Sequence, residues 1–372
     1  MEDLLKLCQS QLKIYPKMQA VDLCKMVYQG EFGPGHLLSD KIAAMRNFEV
    51  EYITALESST VKSAENIEDI GDNFCRLHIT VDTSKWLGQD VIFRMFELSA
   101  ETLHGTKSQF LDKMQQIKNF CQIGQIPFNA ADFDTIIETW QANNYAPFSH
   151  SEIFKNEYRP SYRIVHKKYC QFLPIFQHIS TFIRTLPFSP KIIAIDGDAG
   201  SGKTTLAAML QQVYYCNFDV NVIHADDFFL PPTLRTESRL QEPGGNVHYE
   251  RILSEVITPL KANKTFAYRP FDCQIWDFGE EITVNPERLN IIEGSYSLHP
   301  TLDFAYNLKI FLKINPQEQL KRLKKRHSHE NIVDAERLDK FQNIWIPMEK
   351  RYHNHFNVES SCDLVFDTSF YL

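Results

Sequence analysis

Residues Gly197-Asp198-Ala199-Gly200-Ser201-Gly202-Lys203-Thr204 fit the pattern G-x-x-x-x-G-K-[ST] at every fixed position. Such a run is built to hold phosphate. Its glycines let the backbone curl until successive N–H groups converge on phosphate oxygens, and a following helix adds the positive end of its dipole. Lys203 is suited to reach the β- and γ-phosphates, and the Thr204 hydroxyl to hold Mg²⁺. Gly197 through Thr205 form the candidate ATP-binding set. The context fits as well: the apolar run KIIAID, Lys191 to Asp196, precedes the loop, and a helix-forming run, Thr205 to Gln212, follows it.

A phosphate loop alone implies nucleotide binding and leaves the reaction open. Asn263-Lys264-Thr265-Phe266 lacks the aspartate of a guanine-reading N-K-x-D motif, and no LSGGQ-like signature of a transporter ATPase occurs. Both absences favour a small-molecule phosphotransferase. A second candidate group, His224-Ala225-Asp226-Asp227-Phe228-Phe229, ends another apolar run. A carboxylate at the carboxyl end of a parallel strand can take the proton of an attacking hydroxyl.

These groups need a scaffold. In the second half of the chain, short β-branched runs alternate with helical segments: Lys191 to Asp196, Asn221 to His224, Leu289 to Ile292, Leu308 to Ile314 and Asp363 to Phe366. That texture predicts a five-stranded parallel sheet buried on both faces by helices, an α/β P-loop kinase fold. The first half reads as a mostly α-helical domain. Helices are predicted from Leu4 to Ile14, from about Ser39 to Leu56, and over Val91 to Thr102, Ser108 to Phe120, Ala130 to Asn143 and about Lys168 to Thr185. Gly30 to His36, with three glycines and a proline, is read as a loop, Ser58 to Asp69 as a connection, and Arg76 to Val81 as a short strand. Ala146 to Ser161 is rich in aromatic, proline and polar residues. Pro187-Phe188-Ser189-Pro190 marks the boundary, giving domains 1–186 and 187–372.

From Lys191 to Asp367, nearly half of the chain, the sequence resembles the uridine kinase and phosphoribulokinase-like family. The resemblance implies roles residue by residue. Asp226, in Asp226-Asp227-Phe228-Phe229, looks like the catalytic aspartate that follows the second strand. Glu293, in Leu289-Asn290-Ile291-Ile292-Glu293-Gly294, looks like the glutamate that shares the magnesium site with Thr204. Lys321, Arg322, Lys324, Lys325 and Arg326 fall where the family carries a basic lid, with Arg322, Arg326 and Arg337 as lid candidates and Arg326 as a catalytic one beside Lys203. Leu320 and Leu323 give that helix an apolar side. His248, within Pro243 to Arg251, stands where the family has a ribose-binding acid. Tyr268, Arg269, Phe271 and Asp272 resemble the nucleoside-pocket segment, and Trp276 falls near the place of the family's pyrimidine-contacting histidine. The resemblance implies ATP as donor, Mg²⁺ as cofactor and a nucleoside-like acceptor. The departures at His248 and Trp276 keep another alcohol, such as a sugar or vitamin, in play. A nucleotide-sensing regulatory protein is the third reading, and the paired presence of Asp226 and Glu293 argues against it.

The first half resembles no enzyme family. Glu31, His36, Arg76, His78, His104, Arg163 and His166 are its polar candidates, and His36 and His78 are read as structural rather than metal-binding. A helical accessory domain that shapes the acceptor pocket or mediates dimerisation is the expected role. The formal net charge of −8 over 372 residues gives no general reason to bind nucleic acid or an anionic membrane. Eight dispersed cysteines without C-x-x-C spacing are read as reduced thiols. The acidic start Met1-Glu2-Asp3 fits neither a signal nor a transit peptide. These features predict a cytoplasmic protein.

Overall fold

The computed structural model describes residues 2–57, 66–102, 105–185, 190–215, 217–329 and 332–370. His104, Cys216 and residues 186–189 of the expected domain boundary lie outside them. The chain divides into two compact units, Met1–Arg184 and Thr185–Leu372.

The first unit is helical around a small antiparallel sheet. Its elements are α1 (Glu2–Ile14), α2 (Ala20–Phe32), α3 (Lys41–Glu57), β1 (Ile67–Asp69), β2 (Phe74–His78), α4 (Val81–Leu87), α5 (Gln89–Ala100), α6 (Lys107–Gln122), α7 (Ala130–Ala142), α8 (Glu152–Tyr158), β3 (Tyr162–His166), α9 (Lys167–Gln171) and α10 (Leu173–Thr185). The strands run in the order β1-β2-β3, with β2 central and buried along its length. A core of Leu23, Met26, Val27, Phe110, Met114, Ile117, Phe133 and Trp140 joins α2, α6 and α7.

Several expectations are corrected here. Helix α2 continues through Gly30, Glu31 and Phe32 where a loop is predicted. Gly30 is there for close packing, since a Cβ at that position would stand 2.5 Å from the Ile70 carbonyl oxygen. The predicted strand Arg76–Val81 begins earlier, at Phe74, and ends at His78. Thr80 then caps α4, its hydroxyl accepting the Thr83 N–H at 3.1 Å, so Val81 is helical. Ile67–Asp69, read as a connection, pairs with β2, and Tyr162–His166 is an unpredicted strand on its other side. The long helix expected from Lys168 is two helices, because Pro174 fits a first turn and not a helix interior.

A buried polar network fastens the small sheet to α2. Arg76, 1% exposed, donates to Glu68 Oε1 at 2.6 Å and to Gln29 Oε1 at 2.9 and 2.7 Å. Glu68 also accepts from Tyr15 at 2.6 Å and meets His78 at 2.9 Å. Burial pushes the Glu68 carboxyl up, but Arg76, His78 and Tyr15 together bring it down to about 2. His78 is thus held inside this network by its contact with Glu68.

The second unit carries the five-stranded parallel sheet. Its strands and helices are β4 (Lys191–Gly197), α11 (Lys203–Tyr214), β5 (Val220–His224), α12 (Glu237–Gln241), α13 (Tyr249–Arg251), α14 (Thr258–Lys261), β6 (Phe266–Tyr268), β7 (Phe271–Asp272), β8 (Asp277–Phe278), β9 (Ile282–Val284), β10 (Leu289–Glu293), β11 (Leu308–Lys313), α15 (Pro316–Arg326), β12 (Ser328–His329), β13 (Ile332–Val333), α16 (Ala335–Lys340), α17 (Ile346–Phe356) and β14 (Leu364–Asp367). The order β14-β11-β4-β10-β5 is parallel throughout. β4 and β10 are buried at every position, which explains their unbroken apolar spelling. This is the five-stranded parallel α/β sheet, flanked by helices and carrying the phosphate loop, that the sequence predicts. Among the described residues, no helix is long and apolar enough to cross a membrane.

Candidate active site

The central strand β4 delivers the phosphate loop. Asp198 N–H donates to the Leu312 carbonyl at 3.0 Å, and Asp198 Oδ2 accepts the Ile314 N–H at 3.0 Å, so the loop is tied to the end of β11. Helix α11 starts at Lys203, directing its free N–H groups and dipole into the loop. Lys203 Nζ donates to the carbonyls of Gly197 at 2.7 Å and Asp198 at 3.0 Å. The lysine therefore folds over the loop it belongs to.

Sheet register assembles the carboxylates. In the parallel ladder, Glu293 of β10 pairs with Ile195 of β4 on one side and His224 of β5 on the other. Glu293 is buried, and the Thr204 hydroxyl lies 3.1 and 3.2 Å from its two carboxylate oxygens. His224 Nδ1 sits 2.6 Å from Glu293 Oε1, and that hydrogen bond raises the His224 pKa against the effect of burial. The two residues expected to share a metal are thus in direct contact, with a histidine beside them.

After β5 the chain makes a short 3₁₀ turn, Ala225–Phe228, that carries Asp226 and Asp227. Gly294 lets the end of β10 approach this turn: a Cβ there would lie 3.0 Å from Ala225 Cβ and 3.4 Å from Asp226 Oδ1. Among the described residues, no hydrogen bond or ion pair engages the Asp226 carboxylate. Crowding by protein raises its pKa, with Lys203 pulling it down, Glu293 pushing it up, and Arg326 and His224 pulling it down. Asp227 accepts the Tyr268 hydroxyl at 3.1 Å, and burial raises its pKa too.

The other expected residues divide. Arg326 acts electrostatically on Asp226, whereas Arg322 is spent on structure. It meets Glu318 at 3.2 Å and the Gly200 carbonyl at 3.5 Å, and donates to the Thr368 carbonyl. Arg337 is exposed on α16. Tyr268 reaches the site through Asp227. Arg269 donates to the Gly279 carbonyl at 2.9 Å, and Asp272 accepts the Gln274 N–H at 2.7 Å, so both brace their own hairpin. Phe271 is core, and Trp276 is 52% exposed with Arg235 over its ring at 5.6 Å. His248 pairs with Glu250 at 3.1 Å.

Sequence reasoning missed His224, Glu349, Tyr352 and Ser295. His224 had a signal, as the last residue of its strand. Glu349 and Tyr352 lie in a helix with no motif, about 150 residues from their partners, Ala199 in the phosphate loop and Asp196 in β4.

The oxygen donors suit a magnesium ion. Among the described residues no group of three or more His, Cys, Asp or Glu could hold a metal unaided. Magnesium needs no such group, since it binds through one or two side chains plus waters and substrate phosphates. Thr204 and Glu293 meet that requirement.

No family model matches the chain. Over its C-terminal half the chain is similar to solved structures of uridine kinase-like and related P-loop kinases. One is a possible uridine kinase from Bacillus stearothermophilus, 20% identical, covering 52% of this chain and 100% of that one, with a TM-score of 0.39. Another is a putative fructose transport system kinase from Silicibacter sp. TM1040, 21% identical over 48% of this chain and 90% of that one, TM-score 0.35. A third is D-glycerate 3-kinase from Cryptococcus neoformans, 13% identical over 45% and 80%, TM-score 0.33.

Proposed function

We propose that this protein transfers the γ-phosphoryl group of ATP to a hydroxyl of a small molecule, with a nucleoside as the first acceptor to test. The observation that carries the reading is the convergence of Thr204, Glu293 and Asp226 at the carboxyl edge of the sheet, beside a complete phosphate loop. A nucleotide sensor needs the loop and has no use for an acceptor base two residues beyond a neighbouring strand.

Each group has a role in that reaction. The loop amides from Gly197 to Thr205 and Lys203 hold the triphosphate. Thr204 and Glu293 would hold Mg²⁺, which supplies charge neutralisation to the phosphates when bound. Asp226 accepts the proton of the attacking hydroxyl; its carboxylate, which no hydrogen bond or ion pair engages among the described residues, and its raised pKa suit a base. Arg326, whose charge acts on Asp226, would neutralise developing charge, and closure of the basic segment would exclude water. Arg322 supports the loop from behind. Tyr268 orients Asp227 at the acceptor side. The Met1–Arg184 unit is proposed as an accessory unit.

A coupled ADP-release assay with ATP and Mg²⁺ tests the reading, uridine and cytidine first, then sugars and vitamin alcohols. Strong stimulation by a nucleoside supports the acceptor class. Stimulation only by another alcohol keeps the chemistry and replaces the nucleoside.

A further inference from the structure

Helix α17 turns one face onto the phosphate loop. Glu349, Tyr352 and His353 stand at i, i+3 and i+4, the spacing that stacks side chains on one side of a helix. Tyr352 donates its hydroxyl to Asp196 Oδ2 at 3.0 Å, and His353 Nδ1 lies 3.7 Å from Asp198 Oδ1. Glu349 makes the contact of most consequence. Its Oε2 accepts the Ala199 N–H at 2.9 Å and its Oε1 accepts the Ser295 hydroxyl at 2.6 Å. The residue is only 6% exposed.

A buried carboxylate beside a phosphate cradle is costly. It loses hydration, and it repels the anion that the cradle takes. Burial pushes the Glu349 pKa up, while Lys203, Ser295 and the Ala199 amide hold it down. Volume alone does not require an acid here, because an apolar side chain could fill the same space. What an apolar side chain cannot do is accept the Ala199 N–H. That amide is inside the loop, where the Asp198 N–H already donates to the Leu312 carbonyl and the Ser201 N–H to the Asp198 carbonyl. Ser295 lies two residues past Glu293, so one carboxyl group links the phosphate loop to the metal-binding end of β10.

We propose that Glu349 is a positioning residue of the phosphate loop. By taking the Ala199 amide it fixes the curl of the loop in which Lys203 and the start of α11 must meet phosphate. Through Ser295 it keeps the loop in register with Glu293. The inference rests on the loop being a nucleotide site, as proposed above, and not on which acceptor is used.

The test compares Glu349→Met, which fills the space without accepting a hydrogen bond, with Glu349→Gln, whose amide oxygen still accepts from Ala199. Full-length protein is titrated with ATP and Mg²⁺ by calorimetry, and thermal unfolding reports folding. Glu349→Met should bind ATP about tenfold more weakly, the loss of one charge-assisted hydrogen bond. Glu349→Gln should return to within about threefold of wild type. Equal affinity of Glu349→Met and wild type overturns the proposal, and so does a folded Glu349→Gln as weak as Glu349→Met. Should Glu349→Met not fold, Ser295→Ala reads the other end of the clamp, with about threefold weaker binding expected and unchanged binding counting against it. Wild type that binds ATP tightly yet phosphorylates no alcohol would sink the functional proposal alone. Wild type that binds no ATP overturns both.

Discussion

Replacing Asp226 with asparagine keeps the side-chain shape and removes the capacity to take a proton. The substitution should be nearly silent for stability, since no hydrogen bond or ion pair among the described residues engages this carboxylate. A surface change of that kind stays within about 0.5 kcal/mol. Nucleotide affinity should hold or tighten slightly, because the lost charge is one that Glu293 repels and an incoming triphosphate would also repel. Turnover should collapse. A positioned general base contributes roughly 10²–10⁴-fold, so kcat should fall by about that factor, or about 3–5 kcal/mol in barrier. The wild type should also lose rate on acidification at a pH above the ordinary carboxylate value of 3.8, because the base works only when ionised and its pKa is raised. Asp226→Asn should lose that acid limb. The assay is steady-state ADP release at saturating acceptor, with ATP affinity measured separately. A kcat within threefold of wild type, with ATP binding intact, would refute the assignment of the base.

Further outcomes follow from other contacts. Lys203→Ala removes the cation that folds over Gly197 and Asp198, so ATP affinity and kcat should fall together, by tenfold or more in affinity. Arg76→Ala strands the buried Glu68 carboxylate and should cost about 3–5 kcal/mol in urea unfolding. A loss under 1 kcal/mol would show that Tyr15 and His78 satisfy Glu68 alone. His150 is buried between Asp22 and Tyr162, and burial lowers its pKa from 6.5 to about 4. The unfolded chain then binds a proton that the folded one refuses. Stability from this group is complete above pH 6.5 and drains by about 3 kcal/mol as pH falls toward 4. His150→Gln should flatten that part of the stability profile.

What was legible in the sequence was what is local or strongly patterned. The phosphate loop spells its own geometry within a few residues. β4 and β10 show as apolar runs because both are buried on both faces. The pairing of Thr204 with Glu293 was reached only through the family resemblance, since it depends on which strand lies next to β4. His224 was seen as the end of a strand, but its contact with Glu293 comes from ladder register, which a single sequence does not state. Glu349 was invisible for the same reason: its partners are far away along the chain. In the first unit, glycine at position 30 misled because a helix breaker by propensity was serving as a packing contact. The aromatic and proline residues after Ala146 hid β3, whose partner β2 makes it a strand.

The central claim is that this chain moves a phosphoryl group to an alcohol rather than to water. Incubation with γ-labelled ATP, Mg²⁺ and a mixed pool of nucleosides, sugars and vitamin alcohols, followed by separation of labelled products, measures that directly. The account predicts label in one phosphate ester, dependent on Lys203 and Asp226, with little free phosphate. Label recovered only as inorganic phosphate, at a rate that no alcohol changes, would contradict it and favour a nucleotide-sensing switch.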